Sequence, residues 1–283
     1  MTKKCLALVL GGGGARGALQ VGALRALFEA GLKPDLLVGT SIGAVNAIGL
    51  ALWGVDLAGV EALDRIWQDT AGADFMDPHL ARVVLRQILG RPNTQANQQV
   101  VQFFISIGVT PDLRFDQISG VRLALISADL VSGQPVIYGQ DSSQSVLDGL
   151  LASIALPPWF APIEKDDHRI VDGGFLSNLP MEPALTMGAT EIIALDLDDP
   201  NIKLANEGSL LNQVEKLVFA IYRRLVSLEI ALAEARGVPV HHIALRSPTA
   251  TYSWDFSNYQ QLVRTGYEIT SQQLPFRSPA SLS

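Results

Sequence analysis

Short unbroken apolar runs that end in glycine alternate with stretches whose apolar residues recur every three or four positions. Cys5 to Leu10 is one such run; Gly11 to Gly14 interrupts it, and Ala18, Val21, Leu24 and Phe28 then follow at helical spacing as far as Gly31. The order predicts strand, turn, helix. Pro34 opens a second unit, with Leu36-Leu37-Val38 as a short strand and Ile42 to Leu52 as a helix rich in Gly and Ala. Two successive βα units predict a mainly parallel sheet covered by helices, a three-layer α/β/α fold.

Farther along, the spacing predicts helices around Val60 to Asp69 and Leu80 to Leu89, followed by a polar stretch, Gly90 to Gln99, that reads as a surface loop. Such a loop has a functional alternative as a lid over a lipid site. Val121 to Ala128, Pro135 to Tyr138, Arg169 to Val171 and Ile192 to Leu195 read as strands. Ala152 to Pro162 reads as a helix end running into a rigid proline-rich turn. Leu210 to Arg236 predicts a long helix with Leu210, Val214, Leu217, Ile221, Leu225, Leu228 and Leu232 on one face. Phe219, Tyr222, Val226 and Ile230 lie outside that stripe beside Arg223 and Arg224, so core packing and a membrane-surface helix are both compatible with it.

No linker or charge block divides the 283 residues, which predicts one domain over 1–283. Apolar residues at 48% against 17% charged exclude a disordered chain. A formal charge of −7 and a pI near 5.1 leave no electrostatic footprint for nucleic acid. The single cysteine, Cys5, sits in an apolar run and is expected as a small core residue. Lys3-Lys4 before that run imitates a signal peptide only faintly, and no apolar stretch reaches the roughly 18 residues a spanning helix needs. The expectation is a cytoplasmic protein whose membrane contact is at most peripheral, at the inner membrane.

Candidate chemistry comes from the two glycine-bounded turns. Gly12-Gly13-Gly14-Ala15-Arg16-Gly17 aims backbone N–H groups at one spot beside a helix start, a place for negative charge. Gly39-Thr40-Ser41-Ile42-Gly43 fits a strand-to-helix turn that lifts a serine hydroxyl, and Gly43, Ala44 and Ala47 are small enough for the helix to lie close to the sheet. Gly12-x-Gly14-x-x-Gly17 also satisfies a dinucleotide fingerprint, with Asp35 downstream. Asp35, however, precedes the second strand and would stand at the wrong end of the sheet for a ribose. A P-loop is excluded because Ala18-Leu19 follows Gly17 where Lys and Ser/Thr are needed.

His79, His168, His241 and His242 are the available imidazoles. Ser41, Asp172 and His242 would reproduce the chain order of an α/β-hydrolase triad, yet in those enzymes the elbow follows several strands and here it follows the second. Asp172-Gly173-Gly174 places a carboxylate on a tight turn, where it is either a base or a structural cap.

Together, Gly12 to Gly17, Gly39 to Gly43, the Ala152-Ser153 to Pro162 block and Asp172-Gly173-Gly174 resemble the patatin-like phospholipases, in particular the bacterial branch similar to the catalytic domain of neuropathy target esterase. The likeness covers roughly residues 5 to 200. It implies a lipid or acyl-ester substrate and a cofactor- and metal-free serine acyl hydrolase with a Ser41–Asp172 dyad. The N–H groups of Gly12, Gly13, Gly14 and Ile42 would form the oxyanion hole, supported by Arg16, Gly17, Gly39, Gly43, Gly173 and Gly174. The chain departs from the family pattern at Gln20, where many relatives have histidine, and at Ser127-Ala128-Asp129-Leu130, where Ala-Thr-Asp-Leu is common. Acyl transfer to an acceptor and non-catalytic lipid or protein binding are the alternatives on the same scaffold. Head group, acyl length and oligomeric state are not encoded in these motifs.

Overall fold

The computed structural model describes residues 4–70, 94–197, 210–247, 251 and 255–275. Its elements are β1 (Leu6–Leu10), α1 (Gly17–Glu29), β2 (Leu36–Thr40), α2 (Ile42–Trp53), α3 (Leu57–Thr70), α4 (Thr94–Ser106), β3 (Arg122–Asp129), β4 (Gln134–Tyr138), α5 (Val146–Ser153), β5 (Ile163–Lys165), β6 (His168–Asp172), α6 (Met181–Thr186), β7 (Glu191–Asp196), α7 (Leu210–Ala235), β8 (Val240–Ala244) and α8 (Tyr259–Ser271). One sheet of eight strands runs β5-β6-β3-β2-β1-β7-β8, with β4 also on β3. Strands β3, β2, β1, β7 and β8 are parallel, while β4, β5 and β6 are antiparallel additions.

Period-two alternation sorts the strand residues into two cores. Leu8, Leu10, Leu37, Leu123, Leu125, Ile193 and Leu195 face α1, α2, α3, α4, α5 and α8. Ala7, Val9, Leu36, Val38, Ala124, Ile126, Ile192 and Ala194 face α6 and α7. Helices therefore cover both faces of a mostly parallel sheet, which is why β1 is apolar at every position and β2 is apolar from Leu36 to Val38. Cys5 is buried in the second of these cores, its sulfur accepting from Arg122 Nη2 at 2.9 Å.

The loop expected over 90–99 is corrected in part: residues 94–99 are the first turns of α4, and 90–93 lie outside the described residues. Gln and Ala are good helix formers, so polarity alone did not exclude a helix, and Val100 and Phe104 in its later turns are buried. The expected helix Leu80 to Leu89 also lies outside the described residues. Helix α8, not singled out by sequence, lies against α1 through Gly22 and Gly266. A β-carbon on either would fall on backbone of the other helix, at Val263 and Leu19 respectively. Among the described residues no helix is long and apolar enough to cross a membrane.

The sheet registers position the site. β3 pairs with β2 over Arg122–Ile126, with β6 over Ser127–Asp129 and with β4 over Leu125–Asp129. Because β4 overlaps both partners, β2 and β6 must share the other edge of β3, meeting end to end. Thr40 is level with Ile126 and Asp172 with Ser127, so β3 acts as a splint that brings the end of β2 to the end of β6.

Candidate active site

Ser41 follows β2 directly and opens α2 with φ 55° and ψ −125°, a left-handed backbone uncommon for a residue with a β-carbon. Two features hold it there. Its N–H donates to Ser153 Oγ at 2.9 Å, and that hydroxyl donates to Ile126 O at 2.6 Å, tying the turn to α5 and β3. In addition, Gly39 and Gly43 let α2 touch the sheet: a β-carbon on Gly39 would strike Gly43 O, and one on Gly43 would strike Leu10 O.

The glycine loop passes beside Ser41, and a β-carbon on Gly12 would lie 3.1 Å from Ser41 Cβ and 2.7 Å from Asn178 Oδ1. Of the three glycines expected as oxyanion donors, Gly12 has its N–H committed to Asn178 O at 3.0 Å. Gly13 and Gly14 are half-buried, and their N–H groups make no hydrogen bond among the described residues. The Ile42 N–H, first in α2, has no partner there either, as expected at a helix start. Arg16 is buried and folds back on the loop, its Nε donating to Gly13 O at 3.2 Å. Gly17 is required by packing, since a β-carbon there would come to 2.5 Å of Ile42 Cγ1.

Gln20, the departure from the family pattern, is fully buried beneath this loop. Its Nε2 donates to Gly11 O at 2.9 Å and Leu195 O at 3.3 Å, while its Oε1 accepts from Asn46 Nδ2 at 2.9 Å. Asn46 also donates to Gly17 O at 3.0 Å and accepts from Trp67 Nε1 at 3.0 Å. Every polar atom of this Trp67–Asn46–Gln20 chain is paired, the condition under which a buried polar network makes a site rigid.

Asp172 ends β6 and is 2% exposed. Oδ1 accepts from Gly174 N at 2.8 Å, and Oδ2 is buried without a hydrogen bond of full geometry. Burial pushes its carboxyl up to about 6; the nearby Ser41 hydroxyl and the Gly174 N–H act against that rise. Gly173 fits only without a side chain, because a β-carbon would strike Ile126 O.

The contacts of Asn178, Tyr222, Glu229 and Asp129 are not legible in the sequence. Asn178 joins the glycine loop to the Asp172 turn, adding an Nδ2 to Gly12 O contact of 3.4 Å to the backbone bond above. Tyr222 and Glu229 arrive from α7, more than forty residues after Asp172 in sequence, and no local spacing announces them. Asp129, buried in the other departure from the family pattern, accepts from the N–H of Val131, Ser132 and Arg169 and pairs with His168 Nδ1 at 2.7 Å. Those bonds hold its carboxyl well below the usual range and make it a clamp between two hairpins.

No described histidine reaches Ser41. His168 pairs with Asp129, His241 with Glu191 at 3.1 Å, and His242 with Asp196 at 2.9 Å on β8, the sheet edge beyond β7. His79 lies outside the described residues. Asp35 accepts from Leu6 N at 2.9 Å at the start of β1, the opposite end of the strands from the glycine loop, which removes the dinucleotide reading.

The family model for patatin-like phospholipases matches residues 8–185. The chain is 31% identical over 199 residues to patatin-like phospholipase domain-containing protein 7 of Mus musculus, covering 70% of this chain and 14% of that one. It is 31% identical over 194 residues to an uncharacterized NTE family protein of Mycobacterium tuberculosis, covering 69% of this chain and 30% of the relative. The chain thus spans less than a third of either relative's length. VipD from Legionella pneumophila superposes with a TM-score of 0.47 at 15% identity, over 96% of this chain and 66% of that one.

Proposed function

Because the chain belongs to the patatin-like phospholipase family, we propose that it is a serine lipid acyl hydrolase using a Ser41–Asp172 dyad. The observation that carries the reading is the meeting of β2 and β6 on one edge of β3, which sets a strained serine beside a buried carboxyl whose Oδ2 has no other hydrogen bond. Ser41 Oγ attacks the ester carbonyl carbon as its proton passes to Asp172. An exposed carboxylate, with an ordinary pKa near 3.9, is a weak base for this task; burial that lifts it to about 6 makes it a stronger one.

The carbonyl oxygen becomes an oxyanion held by the Gly13, Gly14 and Ile42 N–H groups, each such donor being worth about 10²–10³ in rate. Asp172 returns the proton to the departing alcohol, leaving an acyl ester on Ser41. Water then attacks the ester while Asp172 takes its proton; collapse frees the fatty acid and restores the serine. Arg16 and the Trp67–Asn46–Gln20 chain keep the donor loop in place, and no metal takes part.

Product analysis tests the assignment: p-nitrophenyl esters and lysophospholipid are incubated with and without a glycerol or lysolipid acceptor, in EDTA. The expected result is free fatty acid whose yield neither acceptor nor chelator changes. An acyl group found mainly on the acceptor would make the protein a transferase, and lipid binding without turnover would make it a binding scaffold.

A further inference from the structure

Helix α7 lies beyond the family match and docks on the sheet by one stripe. Tyr222, Val226, Glu229 and Ala233 follow at intervals of four, three and four; the last three are buried and Tyr222 is half-buried, while Leu217, Ile221, Arg223, Arg224 and Leu228 are exposed. In that stripe a carboxylate, 7% exposed, is unusual. Glu229 Oε1 accepts from Ser177 Oγ at 2.7 Å and its Oε2 from Glu182 N at 2.8 Å. Both donors belong to the segment that leaves Asp172, and Ser177 O in turn accepts from Thr40 Oγ1 at 2.9 Å, one residue before Ser41. Glu229 therefore latches α7 to the segment joining acid and nucleophile.

Two helical turns earlier, about 10 Å along the axis, Tyr222 brings its hydroxyl over Gly174. A β-carbon on that glycine would lie 3.7 Å from Tyr222 Oη, 3.1 Å from Asp172 Oδ1 and 3.0 Å from Asn178 Oδ1, so three oxygens surround one point. Resting on the dyad reading, we propose that α7 completes the active site, with Tyr222 as a positioning residue whose ring covers the Asp172 carboxyl and Glu229 as the latch that keeps it there. The cover keeps water from solvating the carboxylate, which is what a carboxyl base needs in order to take a serine proton.

Burial, to which α7 contributes, acts most on Asp172; the Ser41 hydroxyl from the β2–α2 turn and the Gly174 N–H from its own turn act against it, and among the described residues no charged side chain acts on it. Burial first, and then the Asp172 carboxylate, raise the Tyr222 phenol above its ordinary value. Glu229, facing Ser177, the Met181 and Glu182 N–H groups and the Glu182 carboxylate, is itself pushed up to about 7, chiefly by burial.

The test is the pH profile of kcat/KM for the full chain and for Tyr222→Phe, Tyr222→Ala and Glu229→Gln, with Ser41→Ala in parallel. Tyr222→Phe keeps the ring and retains the acid limb near pH 6. Tyr222→Ala moves that limb down by about one pH unit and lowers kcat about tenfold with little change in KM, because a better-solvated carboxylate is a weaker base. Glu229→Gln moves the limb the same way by less, and decides the matter if Tyr222→Ala does not fold. An unshifted limb in the folded Tyr222→Ala or in Glu229→Gln, whatever its melting temperature, overturns the proposal. Turnover that survives in Ser41→Ala overturns instead the dyad on which it rests.

Discussion

Around Ser41 the chain is fixed by glycines pressed against backbone, whereas around Asp172 it is fixed by hydrogen bonds to groups from distant elements. Apart from one hydrogen bond to α5, the first region is built within about fifty residues and contains no titratable group that must change state. Its geometry follows from the absence of β-carbons at Gly17, Gly39 and Gly43 and from one serine-to-serine bond to α5. The second draws on the glycine loop through Asn178, on β2 through Thr40 and on α7 through Tyr222 and Glu229. The nucleophile is set by steric fit and the base by environment. Errors on the first side should cost the fold, and errors on the second should cost the pKa.

The largest expected effect breaks the steric side. Gly43→Ala places a methyl group on Leu10 O and is expected to destabilise by about 3 kcal/mol or more, read as a lowered thermal midpoint with loss of turnover. An equally stable variant would show that the close approach of α2 to the sheet is not required.

A change of opposite sign is expected on the environmental side. Asp172→Asn should abolish turnover while stabilising the fold at pH 7. The folded carboxyl is raised to about 6 from 3.8, so its charged form is disfavoured by folding: the penalty is absent below about pH 4, grows between pH 4 and 6, and is full above that. Two pH units correspond to about 3 kcal/mol. Urea melts of both proteins at pH 4 and pH 7 check the sign, and a variant less stable than the parent at pH 7 would contradict it.

Between the two regions stands Ser153, which touches both Ser41 N and Ile126 O. Ser153→Ala is expected to cost about 1–2 kcal/mol and to lower kcat about tenfold through a loosened nucleophile, measured by melting and steady-state kinetics. The smallest effect is expected from His242→Ala, which removes a partner of Asp196 on a distant strand and should leave turnover at the parent level. A collapse in turnover would restore the triad.

The same contrast explains what the sequence disclosed. Gly12 to Gly17, Gly39 to Gly43 and Asp172 to Gly174 were legible because each is contiguous and lies at a strand end, where glycine and a single polar residue stand out against apolar runs. The parallel core was legible because β1, β2 and β7 are buried on both faces. Asn178, Ser153, Tyr222 and Glu229 were not assigned their contacts because they act across the fold, and Tyr222 read only as one more apolar residue on a long helix. Gln98 and Gln99 sit on a helix despite their polarity, since the apolar stripe of α4 begins after them at Val100. The commitment of the Gly12 N–H to Asn178 is likewise a tertiary fact, and it narrows the expected glycine donors from three to two.

The most direct test of the dyad is mass spectrometry of the protein after treatment with a fluorophosphonate, comparing the parent with Ser41→Ala and Asp172→Asn. The expected result is one adduct on Ser41, none in Ser41→Ala, and labelling slowed about 10²–10⁴-fold in Asp172→Asn, the usual worth of a general base. An adduct on another residue, or labelling of Asp172→Asn at the parent rate, would contradict it.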